Sequence, residues 1–184
     1  MDKYIEIRML PDPEFTASVL MSALFAKLHR ALVEIRRGEI GVSFPQAQKT
    51  LGDMIRLHGS IGTLKQLMEV KWLKGLTDYT SVSVIKQVPG NCQYRIVKRV
   101  QAKSSSDRLY RRSVKKGWLT AEEAEKKKHE CNEQRLKMPF VQLKSHSSGQ
   151  SFRLYIQQGK LLESPHAGKF SDYGLSSEAT IPWF

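Results

Sequence analysis

The feature that most constrains this chain is one long amphipathic helix set between strand-like runs. The segment "YIEIRM" alternates like a strand, "LPDP" interrupts it, and a helix is predicted from about Glu14 to Arg36, where "RRGEIGVSFP" ends it. At roughly 100° per residue, Leu20, Leu24, Leu28, Ala31, Leu32 and Ile35 fall on one stripe. His29 lies about 110° from the centre of that stripe on the same ruler, among Ser22, Phe25 and Arg36. That is the seam between core and water. A histidine there is either a half-buried surface residue with no chemical task or a group facing a cleft, and the helix alone does not separate the two.

After the helix come "EIGVSF", "MIRLHG", a short helix in "IGTLKQLMEV" and a strand in "DYTSVSVIKQV", closed by a turn at Pro89 to Asn91. The order βαββαβ is the ferredoxin-like pattern that also underlies the RNA-recognition motif. It predicts an α+β fold whose N-terminal domain, residues 1–93, is an antiparallel sheet with both helices on one face. The remainder, 94–184, reads as a C-terminal part built differently. "YRIVKRVQA" is a strand, with Ile96 and Val100 on one face and Arg95, Val97 and Arg99 on the other. A basic helix is predicted over about 105–117, ending at Gly117, with Arg108, Arg111, Arg112, Lys115 and Lys116 recurring at three- and four-residue spacings. Thr120 and Glu123 form a capping-box pattern at the start of a charged helix. "FVQLKSHSSGQSFRLYIQQG" reads as a hairpin, and "FSDYGLSSEATIPWF" as a tail ending in aromatics.

Charge narrows the function. Thirty Lys and Arg stand against eighteen Asp and Glu, for a net +12, and Tyr94 to Lys137 holds fourteen basic residues against six acidic ones. So concentrated a field points to a polyanion. Phospholipid is disfavoured because the basic stretch lacks the bulky apolar face of an interfacial helix. No apolar run approaches the roughly 20 residues that span a bilayer, so no membrane partner is expected. The N-terminus "MDKYIEIRML" resembles neither a signal nor a transit peptide, which suggests a cytoplasmic protein. Cys92 and Cys131 are too far apart for a zinc ribbon or redox dithiol and read as free thiols. "HEC" at His129 to Cys131 is too little for a metal site, no acidic constellation resembles a two-metal nuclease, and no cofactor is implied.

Taken together, "DPEF", "LMSALFAKLH", "RVQAKS", "FVQLKSHSSGQSFRLYI", "YGLSS" and the terminal "PWF" resemble the subtype I-F CRISPR endoribonucleases, from Met1 to Phe184 with the motifs in order. The resemblance implies an enzyme that cuts CRISPR precursor RNA at the base of the repeat stem-loop, with a basic helix in the major groove of that stem. It implies that His29 is the catalytic histidine, that Ser145 positions the ribose 2′-hydroxyl, and that Tyr173 lines the site and holds the histidine. Arg99 and Gln101 match residues that read bases near the foot of the stem, and Arg112 matches a base-contacting arginine. Phe152 matches an aromatic that stacks on the base pair nearest the cut, and Ser147 and Ser148 fall near the scissile phosphate. Partners are the repeat stem-loop and the other subunits of a type I-F surveillance complex.

Two positions depart from the family pattern. Lys115 and Lys116 stand where familiar members carry arginines, and lysine gives a phosphate contact without the planar fork. His146, beside Ser145, is a rival base. The chemistry needs no metal, because RNA carries its own nucleophile and a histidine can manage the proton. The expected ends are a 2′,3′-cyclic phosphate and a 5′-hydroxyl, with the product hairpin retained. A catalytically silent hairpin-binding subunit is the alternative, and a basic DNA-binding module is a third, weaker reading.

Overall fold

A computed structural model describes residues 1–100, 106–127, 137–145 and 148–184, without the side chains of 106–109 and 111. The first half is β1 (Lys3–Met9), α1 (Ala17–Ile35), β2 (Gly41–Ser43), β3 (Met54–Gly59), α2 (Ile61–Glu69), β4 (Thr80–Val82) and β5 (Lys86–Gln87). Their sheet runs in the order β2-β3-β1-β4, with β5 also on β1. Every pairing in it is antiparallel. The second half is β6 (Gln93–Val100), α3 (Ser106–Lys115), β7 (Phe140–Lys144), β8 (Ser151–Leu162) and β9 (Thr180–Trp183), with a sheet in the order β7-β8-β6-β9. The chain is an α+β protein.

The predicted stripe is the buried face of α1: Leu20, Leu24, Leu28, Ala31 and Leu32 are buried and Ile35 partly so. The helix begins three residues later than its pattern allows. The Asp12 carboxylate accepts the backbone N–H groups of Glu14 (2.9 Å) and Phe15 (2.8 Å), an Asx turn that holds the Asp12–Phe15 segment off the helical path. At the far end Arg36 takes a left-handed conformation and donates its N–H to the Leu32 carbonyl at 3.0 Å. α1, α2 and β1 pack on one another, and Ile5, Ile7, Ile55 and Leu57 turn toward the two helices. The alternate residues Tyr4, Glu6, Arg56 and His58 lie on the other face. Each fully buried leucine in this layer contributes roughly 1.5–3 kcal/mol of hydrophobic free energy.

α1 also packs on β7, so the second sheet covers the flank of the helix that the first leaves open. Residues from both halves, among them Leu24, Phe25, Val97, Val141, Leu154 and Ile181, share one apolar cluster. This corrects the expectation for Phe25: its side chain is fully buried, beneath Phe44 and Tyr173, rather than at a seam. Gln158 strengthens the join, accepting from the Phe44 N–H at 3.2 Å and donating to the Phe44 carbonyl at 3.1 Å.

Two strand expectations also change. "DYTSVSVIKQV" is a 3-10 turn (Thr77–Tyr79) followed by two short strands, because Ser83 breaks the ladder: its Oγ accepts the Glu6 N–H at 3.0 Å and donates to the Val84 carbonyl at 2.9 Å. In β6 the buried residue is Val97, on the face it shares with two arginines, and the register with β8 shifts between Arg95 and Val97. Arg95 is accommodated by lying over the Trp183 ring, 4.1 Å from its centre, and burial pushes its pKa down.

Candidate active site

Two turns of α1 build one wall of a cleft of about 970 Å³: Ala26, His29, Arg30 and Val33, at helical spacing, all face it. Leu143, Lys144, Ser145, Gly149 and Phe152 of the β7–β8 hairpin form the opposite wall, and Arg99 and Tyr173 complete the lining. The hairpin turn is closed by Ser145 N–H to Gln150 O (2.8 Å) and Gly149 N–H to Ser145 O (2.9 Å), with Gly149 at φ +67. Ser145 Oγ accepts the Ser148 N–H at 3.3 Å.

His29 is held from the tail of the chain. Its Nδ1–H donates to the Asp172 carbonyl at 2.8 Å, and its ring stacks on Tyr173 with centroids 4.1 Å apart and planes within 8°. The Tyr173 ring is also parallel to Phe25, one helical turn back from His29. These contacts depend on a tight loop in which Gly174 N–H donates to Ser171 O at 2.8 Å and Ser171 Oγ donates to Leu175 O at 2.9 Å. Gly174 has φ +67, its carbonyl accepts the Val42 N–H at 2.9 Å, and a Cβ on it would meet Val42 Cγ2 at 2.3 Å. Only glycine lets the loop lie this close to β2. Because a carbonyl can only accept, the neutral His29 ring carries its proton on Nδ1 and leaves Nε2 as the basic nitrogen.

Five of the residues singled out in the sequence therefore meet in one cleft: His29, Ser145, Tyr173, Arg99 and Phe152. The Arg99 guanidinium sits 5.8 Å from the Phe152 ring centre and 5.7 Å from that of Tyr173. Arg112, Lys115 and Lys116 are exposed at the end of α3, outside the cleft lining, where Gly117 (φ +69) and the Trp118 N–H to Ser113 O bond (2.9 Å) close the helix. Ser148 is exposed in the hairpin turn. Gln101, Ser147, His146 and Cys131 fall outside the described residues, as do the side chains of Arg108 and Arg111. Arg30 and Lys144 are the two charged cleft residues not singled out from the sequence. The local signal for Arg30 is its place beside His29 on the helix.

Among the described residues the lining carries Arg30, Arg99, Lys144, His29 and Tyr173 as its titratable groups and no carboxylate. Such a cleft favours an anion and offers it one basic nitrogen. Among the described residues no helix is long and apolar enough to cross a membrane.

Fold and cleft thus define an α+β protein with a cationic, histidine-bearing cleft between a helix and a hairpin. The Cas_Csy4 family profile, described as CRISPR-associated protein, matches residues 4–184, and the chain belongs to that family. It is 54% identical over the full length of both chains to the CRISPR-associated endonuclease Cas6/Csy4 of Escherichia coli (strain UTI89 / UPEC). It is 44% identical, again over both full lengths, to the protein of the same name from Pseudomonas aeruginosa (strain UCBPP-PA14).

Proposed function

We infer that this chain is a metal-independent endoribonuclease that cleaves CRISPR precursor RNA at the base of each repeat stem-loop. Family membership and the names of the relatives support an endonuclease of CRISPR RNA. The observation that carries the mechanism is the fixed tautomer of His29 in a cleft whose described residues include no carboxylate. Nε2 takes the proton from the 2′-hydroxyl, the 2′-oxygen bonds to the adjacent phosphorus, and the bond to the 5′-oxygen breaks as that oxygen takes a proton from water. The ends are a 2′,3′-cyclic phosphate and a 5′-hydroxyl.

Ser145 positions the ribose, Tyr173 holds the imidazole plane, and Phe152 stacks on the last base pair. Ser147 and Ser148 lie beside the phosphate. Arg99 and Gln101 read bases at the foot of the stem, while Arg108, Arg111, Arg112, Lys115 and Lys116 lie along its major groove. The strand order β2-β3-β1-β4 supports a ferredoxin-like domain over 1–93, followed by an RNA-hairpin-binding domain over 94–184. The enzyme works in the cytoplasm, keeps the product hairpin and delivers it to the other subunits of a type I-F complex.

The test is a labelled repeat RNA incubated with the protein in chelator, beside the same RNA with one 2′-deoxy nucleotide just upstream of the cut. The all-ribose RNA is cut and the deoxy RNA is bound equally well but left whole. Cutting of the deoxy RNA would make water the nucleophile, and binding without cutting of either would leave a silent hairpin-binding subunit.

A further inference from the structure

We propose that Arg30 is a further catalytic residue of this cleft, its guanidinium gripping the non-bridging oxygens of the phosphate that is cut. The proposal rests on the reading that RNA is cleaved at His29. Arg30 follows His29 directly and lies on the same cleft-facing turn of α1. Its Nε donates to the Ala26 carbonyl at 3.3 Å, which ties the side chain back along the cleft wall and leaves the two terminal nitrogens for a ligand. Among the described residues it forms no ion pair, although Glu34 stands one helical turn away.

The other cations of the cleft are less suited to this task. The Arg99 guanidinium is committed between the rings of Phe152 and Tyr173. Lys144 offers a point charge, whereas a guanidinium meets two phosphate oxygens at once. The need is chemical. As the 2′-oxygen attacks, negative charge builds on the non-bridging oxygens, and a pre-placed donor aimed at them lowers the barrier. Arg30 neither gains nor loses a proton in this role.

Single-turnover cleavage at saturating protein tests the proposal. Arg30→Gln should slow cutting about 100-fold, the scale of losing one donor to a developing oxyanion. Binding of the uncleavable 2′-deoxy hairpin should change by no more than about 3-fold, since the stem contacts are untouched. Arg30→Lys should recover part of the rate. The distinguishing readout uses sulfur in place of one non-bridging oxygen at the scissile phosphate. The wild type should be slowed by one of the two diastereomers, and that preference should vanish in Arg30→Gln. Unchanged cutting by Arg30→Gln overturns the proposal. So does slow cutting with the sulfur preference intact, or loss of the preference in Lys144→Gln instead. Failure of the wild type to cut, or normal cutting by His29→Ala, would sink the reading of His29 itself.

Discussion

Two of the five histidines, His29 and His58, lie in opposite settings. His29 stands at the edge of a cleft, half-buried, with one nitrogen anchored on a backbone carbonyl and its ring against Tyr173. His58 is sealed on the face of the first sheet that turns away from the helices. It is 0% exposed, with Nε2 at 2.9 Å from Ser43 Oγ and Nδ1 buried with no hydrogen-bond partner among the described residues. Around it, Arg56 pairs with Glu6 at 2.8 Å, donates to the Phe184 carbonyl at 2.9 Å and lies 4.0 Å above the Phe184 ring. Burial, and after it the neighbouring Arg56 charge and the N-terminus, lower the His58 pKa to about 3. The same side chain is thus open to solvent and ligand in one setting and committed to packing in the other.

The widest contrast is obtained by removing each ring. His29→Ala should lower cleavage by at least about 1,000-fold, within the range for losing a general base, while the unfolding free energy stays within about 1 kcal/mol. His58→Ala should do the reverse, costing about 2–4 kcal/mol through the cavity and the stranded Ser43 hydroxyl. Fully folded His58→Ala should still cut. Denaturant titrations beside cleavage gels measure both, and equal effects of the two substitutions on rate would erase the contrast.

Acid sharpens it further. The folded protein keeps His58 neutral, so below the unfolded value of 6.5 only the unfolded chain takes up the proton. That contribution to stability is complete above pH 6.5 and is lost as pH falls toward 3, at about 1.4 kcal/mol per pH unit. Urea midpoints at pH 7, 6 and 5 should fall more steeply for the wild type than for His58→Gln. Parallel slopes would mean that His58 does take up a proton in the folded state.

The smallest effect concerns the stack on His29. A flat ring at 4.1 Å contributes about 0.5–1.5 kcal/mol, so Tyr173→Leu should slow cutting roughly 3- to 10-fold. Tyr173→Phe keeps the ring and should cut within about 2-fold of wild type. A large loss in Tyr173→Phe would assign the work to the hydroxyl instead of the ring face.

The sequence made the local elements legible and left their covers hidden. The stripe of α1, the strand "MIRLHG" and the capping box at Thr120 and Glu123 follow from residues a few positions apart. Thr120 N–H does donate to the Glu123 carboxylate at 2.9 Å and Glu123 N–H to Thr120 Oγ at 3.2 Å. Phe25 defeated the projection because its cover, Tyr173, arrives from the far end of the chain. Arg30 looked like any exposed helix cation, since the hairpin that makes its surroundings a cleft is more than a hundred positions away. His58 carried a usable signal, a histidine in an apolar strand, although its sealing by Arg56 and Phe184 could not be read locally.

Because α1 is gripped by both sheets, its rotational phase is shared between core and cleft. The leucines that dock the helix also set the direction in which His29 points. Inserting or deleting one residue between Leu24 and His29 turns everything beyond by about 100°, which would carry His29 out of the cleft or the downstream leucines out of the core. Substitutions along this helix can be absorbed one at a time, whereas a change in its length cannot. The segment is in effect a key whose teeth accept recutting but whose spacing must be copied faithfully.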